Sequence, residues 1–376
     1  MSFLSPLKEF YVKFKRIIKP AVLFFLFPGK RKKFGKNCNI LWLVCSYGYG
    51  DIFQHTMIPR ELKKIFPESN LTVVTRKKYF SFFSRNKNTD FIEELPYGLD
   101  ADVKTPFSSL FLLYRIIKKH KPDIILDFPC GLHIYELFLY RLAGAKLVYQ
   151  NDEREYSNNF VRFIPADLKK HRIEMFRELL KELGAESPDL SPEYEIQPAD
   201  LKEAKEKIAD GLNCGGIKPF LLFNPEASTE TRSLPERIVK ETVSELRKVL
   251  PEYYVVISCY KRKPYNMAVP GAVMISFDSI DTLAAATSLS SGIISVDTST
   301  AHIADIFCIP LATAYVKYYK ADSLSPQPRG KFWQSRQPGT INLYHDYNSE
   351  YNPHELAIAL KESVDFKKRN PYVSIY

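Results

Sequence analysis

Gly292-Ile-Ile-Ser-Val296 is a short apolar, β-branched run that passes directly into Asp297-Thr-Ser-Thr-Ala-His302. A run this short without polar alternation reads as a strand buried on both faces, as parallel sheets covered by helices require. The residues from Ala301 to Phe307 have helical character, and Pro310 opens a further strand, Leu311-Ala-Thr-Ala-Tyr-Val316. Asp297, Thr298, Ser299 and Thr300 therefore crowd a carboxylate and three hydroxyls into a strand-to-helix turn. Hydroxyls and unpaired backbone N–H groups at such a turn form a ready anion site. Asp, Ser and Thr are also good helix N-caps, so the turn alone reads equally well as an ordinary capped helix.

Two further turns have the same construction. Ile40-Leu-Trp-Leu-Val-Cys45 reads as a buried strand, Ser46-Tyr-Gly-Tyr-Gly-Asp51 as a tight turn, and 52–66 as a helix interrupted at Pro59. Gly48 and Gly50 give G-x-G, but Phe53 holds the third glycine position, which disfavours a dinucleotide site. Asp51 is left at a strand-to-helix switch, where it suits a catalytic base or simply caps its helix. The third strand, Pro219 to Asn224, leads into a loop with Ser228, Thr229, Thr231 and Arg232, and Pro235 fits the first turn of the next helix. A guanidinium beside hydroxyls suits a phosphate, although loop arginines are commonly just solvated.

Together these segments resemble glycosyltransferase family 9, the lipopolysaccharide heptosyltransferases and their relatives. Family members carry Gly-Asp, a Thr five residues after the Asp, a Leu further along the helix and Phe-Pro at its end. This chain has Gly50-Asp51, Thr56, Leu62 and Phe66-Pro67. Asp297-Thr-Ser-Thr-Ala-His302 is similar to the family's Asp-Thr-Gly-x-x-His, and Arg232-Ser-Leu-Pro235 to its Lys-x-Trp-Pro. Met57, Ser299, Arg232 and Leu234 depart from the usual Pro, Gly, Lys and Trp. The resemblance implies a GT-B architecture, two Rossmann-like domains facing across a cleft. It also implies an inverting, metal-independent sugar transfer, with no cofactor. Asp51 would be the base, with Gly48 and Gly50 shaping its turn. Arg232, Thr298, Ser299, Thr300, His302, Asn224 and Ser228 would bind the donor. His302 could touch the ligand or merely brace its loop, and Asp297 is expected to order the turn.

The remainder of the chain agrees with that architecture. Its 376 residues and 45% hydrophobic content leave room for two soluble domains. Strand signals at 71–75, 123–127 and 146–150, then at 253–257, 272–276 and 339–343, alternate with helical segments, which argues for parallel α/β sheets. The expected division is a basic segment at 1–36, an acceptor-side domain at 37–200, a nucleotide-sugar domain at 201–352 and a closing helix and tail at 353–376 that pack back on the interface. The Pro-, Gly- and charge-rich stretch from Ala185 to Gly216 reads as the hinge. Six cysteines stand singly, which suggests a reduced protein without structural zinc. Asp100-Ala-Asp102 spells the metal-binding D-x-D of another glycosyltransferase class but reads as a solvated loop.

Charge is concentrated at one end. Ten Lys and Arg against Glu9 in residues 1–36 account for nine of the formal +10, so no diffuse basic face for nucleic acid is implied. Aromatic and aliphatic residues from Phe3 to Phe27 interleave with those cations, a pattern suited to an anionic membrane surface. The apolar run falls well short of the ~20 residues that span a bilayer. The same pattern would also serve a helix docked on the protein itself. The resemblance implies an ADP-heptose donor and a lipid-linked oligosaccharide acceptor at the cytoplasmic face of a bacterial inner membrane. Two rivals are a nucleotide-sugar epimerase, which would need no membrane segment, and a non-catalytic nucleotide-sugar-binding protein, which would not need Asp51.

Overall fold

In a computed structural model of the chain, residues 34–45, 48–96, 107–128, 134–152, 160–165, 170–259, 269–316, 334–345 and 351–371 are described. Contacts divide the chain into two compact units. The first comprises Met1–Tyr47, Ile58–Asp167 and Glu174–Pro188; the second comprises Gly48–Met57, Leu168–Ile173 and Asp189–Tyr376. The basic segment up to residue 33, the Asp100-Ala-Asp102 motif and Cys130 lie outside the described residues.

The first unit is built on a six-stranded parallel sheet of β1 (Ile40–Val44), β2 (Leu71–Thr75), β3 (Phe91–Glu94), β4 (Ile124–Asp127), β5 (Leu147–Asp152) and β6 (Val161–Pro165). Its strand order is β3-β2-β1-β4-β5-β6. The second sheet holds β7 (Phe220–Asn224), β8 (Tyr254–Cys259), β9 (Ala272–Ser276), β10 (Gly292–Val296), β11 (Leu311–Val316) and β12 (Ile341–His345), ordered β12-β11-β10-β7-β8-β9. Read outward from its first strand, the second sheet repeats the order of the first. All pairings are parallel. The expected α/β class of two doubly wound sheets is the one observed, and β1, β2, β7 and β10 are buried along their whole length. No side of these strands meets water, which is why their sequences show no alternation.

The described helices are α1 (Tyr49–His55), α2 (Ile58–Ile65), α3 (Phe80–Ser84), α4 (Phe107–His120), α5 (Ile134–Ala143), α6 (Ile173–Leu183), α7 (Pro198–Gly211), α8 (Glu236–Val249), α9 (Ile280–Leu289), α10 (Ser299–Ile306) and α11 (Pro353–Arg369). The segment expected as a hinge contains α7, whose Ala204 and Ile208 are buried in one core with Phe220 and Val256. Asn352 caps α11, accepting from the N–H groups of His354 and Glu355, and α11 packs on α8, β10 and β11 of its own unit. Among the described residues no helix is long and apolar enough to cross a membrane.

Strand order decides where ligands bind. In each sheet the chain leaves its first strand toward one side and later returns on the other, opening a crevice at the carboxyl ends. In the first unit that switch point lies between β1 and β4; Asp127 ends β4, and buried Glu136 stands on α5. In the second it lies between β7, which ends at Asn224, and β10, which leads into Asp297.

Candidate donor site at the second switch point

Asn224 and Thr298 meet at this switch point. The Asn224 side-chain amide donates to Thr298 Oγ1 at 2.8 Å, and its Oδ1 accepts from Ser258 Oγ at 2.8 Å. Thr298 Oγ1 also lies 3.1 Å from Ser295 Oγ, whose own proton goes to the Val296 carbonyl. Thr298 is thus held by two polar side chains, Asn224 of β7 and Ser295 of β10, with Ser258 of β8 fixing Asn224 from behind. It is the N-cap residue of α10, yet no side chain caps the helix. The N–H groups of Ser299 and Thr300 therefore open the helix without a side-chain acceptor, the arrangement that favours an anion. Thr300 is 1% exposed and its hydroxyl has no hydrogen-bond partner.

Arg232 stands over the same turn. It lies in a single 3-10 turn, Glu230–Arg232, that follows the β7 loop. Its Nη1 donates to the Asp297 carbonyl at 3.1 Å and lies 3.5 Å from the Asp297 carboxylate; Nε donates to Thr229 Oγ1 at 3.1 Å, and Nη2 to Ser228 Oγ. A guanidinium carries five N–H donors, so the fork keeps others for a ligand. Asp297 orders the turn by receiving Arg232, and Ser228 orients the arginine. Pro235 caps α8, one residue before the first-turn position expected from sequence.

The glycine turn belongs to the same unit. α1 packs on α10 so closely that a Cβ on Gly50 would stand 2.4 Å from His302 Cδ2 and 3.3 Å from Ser299 Cα. Glycine is required here by close approach. Ordinarily Gly→Ala inside a helix stabilises by about 1 kcal/mol. Gly50→Ala should reverse that sign, lowering stability by roughly 1–3 kcal/mol through overpacking, because Ser299 is met at its backbone. A denaturant midpoint equal to or above the native one would show that α1 can lift off α10 freely.

Asp51 lies in the first turn of α1 and accepts the Gly48 N–H at 2.8 Å, so it does cap its helix. His302 is 6% exposed, and its Nδ1 lies 2.8 Å from Gln54 Nε2. Burial holds His302 below the usual imidazole range, against the opposing carboxylates of Asp297 and Asp51. His55 is held far below that range by burial, with the Arg172 and His302 charges adding to it. His302 thus joins α10 to α1 through Gln54. Thr56 ties down the other end of α1: its Oγ1 donates to the Phe53 carbonyl and accepts the Glu193 N–H, both at 2.8 Å. Phe53 packs edge-on against Tyr194 nearby.

Every residue expected for donor binding or catalysis is found in the second unit, gathered about the first turns of α1 and α10. Gln54, His55, Arg172, Ser258 and Ser295 were not among those expected. Gln54 had a signal, since it lies one turn beyond Gly50 on a helix expected at 52–66; Ser258 and Arg172 had none, because only tertiary pairing brings them in.

No protein-family model matches the chain. The sequence is 24% identical over 302 residues to the putative lipopolysaccharide heptosyltransferase 4 of Escherichia coli, covering 78% of each chain. The fold is that of solved glycosyltransferases. A glycosyl transferase family 9 structure from Veillonella parvula aligns with a TM-score of 0.64 at 17% identity, over 82% of this chain and 86% of that one. The E. coli ADP-heptose lipopolysaccharide heptosyltransferase II aligns at 0.66 and 13% identity, over 88% and 99%. E. coli heptosyltransferase WaaC with ADP aligns at 0.61 and 13%, over 86% and 99%. The architecture is therefore the GT-B fold of these solved heptosyltransferases. The similarity to the E. coli relative and to the family 9 structure extends along most of the chain.

Proposed function

We propose that this protein is an inverting, metal-independent glycosyltransferase. It moves a sugar, a heptose from ADP-heptose, onto a lipid-linked lipopolysaccharide or lipooligosaccharide core acceptor. The observation that carries this reading is the uncapped α10 N-terminus beneath Arg232, with Thr298 locked at the switch point. The diphosphate of the donor is held by the N–H and hydroxyl groups of Ser299 and Thr300 and by the Arg232 guanidinium. Asn224 and Ser228 act through Thr298 and Arg232. As the bond between anomeric carbon and diphosphate breaks, negative charge grows on the leaving oxygen, and preorganised donors of this kind stabilise it. Asp51 takes the proton of the acceptor hydroxyl as that oxygen bonds to the anomeric carbon from the opposite face, which inverts the centre. The sugar and nucleotide assignment is supported by the heptosyltransferases among the chain's relatives, one of them solved with ADP-2-deoxy-2-fluoro heptose. A peripheral location at the cytoplasmic face of the inner membrane follows from a lipid-linked acceptor and from the cation-rich first 36 residues.

A panel of nucleotide sugars scored by melting temperature tests the donor: ADP-heptose should raise it, and UDP- and GDP-sugars should not. Excess EDTA should leave transfer unchanged. Arg232→Ala should weaken nucleoside diphosphate binding roughly ten- to a hundred-fold, the worth of a charge-assisted hydrogen bond. Activity that disappears in EDTA and returns with manganese would overturn the metal-independent reading.

A further inference from the structure

α4 and α5 lie side by side in the first unit. Their inward residues, Leu113, Ile116 and Ile117 on α4 and Leu137, Tyr140 and Ala143 on α5, share one core with β1, β4 and β5. Their outward residues are of an unusual kind. Phe111 on α4 is 58% exposed, and Phe138 and Leu142 on α5 are 46% and 73% exposed. Arg115 and Lys118 are exposed at helical spacing from Phe111 on α4, and exposed Arg141 on α5 sets its guanidinium over the Phe160 ring, 5.2 Å from its centre. The one acidic residue on either helix, Glu136, is buried. A solvated helix in the same chain looks different: the outer face of α8 is laced with Arg237–Glu241 and Lys240–Glu236 pairs.

We infer that the outer face of α4 and α5 docks on an anionic phospholipid bilayer, with Phe111 and Leu142 entering the interface and Arg115 and Lys118 meeting headgroup phosphates. Clustered exposed apolar side chains mark an interaction surface, and basic residues around aromatic and aliphatic ones match the charge and depth profile of a bilayer surface. Charge complementarity selects the occupant. A second copy of this face would set cations against cations. The chain's own N-terminal segment, with ten cations and one acid in residues 1–36, would do the same. The consequence for catalysis, that docking holds the enzyme where its acceptor is anchored, rests on the proposed lipid-linked acceptor.

Co-sedimentation of the full-length protein with vesicles tests the surface. Binding to phosphatidylglycerol-containing vesicles should exceed binding to pure phosphatidylcholine and should weaken as salt rises. The apolar variant Phe111→Ser, Leu142→Ser and the charge-reversed variant Arg115→Glu, Lys118→Glu should each lose about tenfold or more in affinity for anionic vesicles. Both should stay folded and keep full transfer to a delipidated, soluble acceptor. Should the apolar variant misfold, the charge-reversed one decides, since it leaves the apolar residues in place. Native vesicle affinity in both folded variants would overturn the inference and leave attachment to the N-terminal segment. So would a lipid-free self-association that the apolar substitutions abolish. Absence of transfer to the delipidated acceptor by the native protein would instead defeat the proposed function, whatever the vesicles show.

Discussion

Asp51→Asn should lower kcat by about 10²–10⁴-fold while leaving the affinity for the nucleotide-sugar donor close to native. The substitution separates the two tasks the carboxylate can perform. Asp51 accepts the Gly48 N–H at 2.8 Å, and the Asn side-chain oxygen can accept the same bond. The first turn of α1 therefore stays capped, and its packing on α10 stays intact. What the amide cannot do is take a proton from an attacking hydroxyl. Asp51→Ala removes both tasks and should add to the catalytic loss a fall in stability of about 1 kcal/mol, the usual worth of a cap. Single-turnover rates with saturating donor, alongside the donor Kd, make the comparison. Near-native turnover in Asp51→Asn would reduce Asp51 to a helix cap and remove the base from the mechanism.

Much of the fold could be read directly because ten of the described strands fall on short apolar runs bounded by turn residues, β1, β2, β7 and β10 being buried throughout. The strands at 40–44, 71–75, 272–276, 292–296 and 311–316 lie where the apolar runs lie, within a residue. The two that escaped, β3 at Phe91–Glu94 and β6 at Val161–Pro165, end the first sheet on either side. β3 is short and partly exposed, with two glutamates among its four residues, so it has neither the length nor the apolar content of a central strand. α1 and α2 were expected as one helix broken at Pro59. The break comes earlier, at Thr56 and Met57, and Pro59 sits in the first turn of α2, where its missing N–H costs nothing.

The site was legible where chemistry is carried by motif residues and opaque where it is carried by partners. Arg232 and Thr298 stand out in the sequence by residue type beside a strand end, and His302 by the motif resemblance. That Arg232 would rest on the Asp297 carbonyl depends on β7 pairing with β10, and that His302 would face Gln54 across 248 positions of sequence depends on α1 packing beside α10. No local pattern encodes such a crossing. The Ser299 departure from the family glycine is accommodated simply: Ser299 opens α10 with helical geometry and needs no left-handed backbone.

Glu136→Gln should stabilise the first unit at pH 8 by an amount on the order of a few kcal/mol and should flatten its dependence on pH. Glu136 is fully buried, neither carboxyl oxygen has a hydrogen-bond partner, and the Asp127 carboxylate, which accepts the Tyr140 hydroxyl at 2.7 Å, stands close by. Burial first, and the Asp127 charge second, push Glu136 up to about 9. Unfolded, it titrates near 4.5, so between about 4.5 and 9 the folded state holds a proton that the unfolded state releases. Stability from this group is therefore complete below pH 4.5 and falls steadily as pH rises toward 9. Gln presents nearly the same shape with no charge to bury and no proton to lose. Urea midpoints at pH 5, 6.5 and 8, followed by Trp42 fluorescence in a Trp333→Phe background, report on the first unit, since Trp42 is buried in β1. Native and variant curves should converge at pH 5 and separate at pH 8; parallel curves would mean that Glu136 is ionised in the folded protein. A neutral acid kept on a helix beside the carboxyl end of a central strand, against its effect on stability, is the kind of local disagreement expected beside a binding crevice.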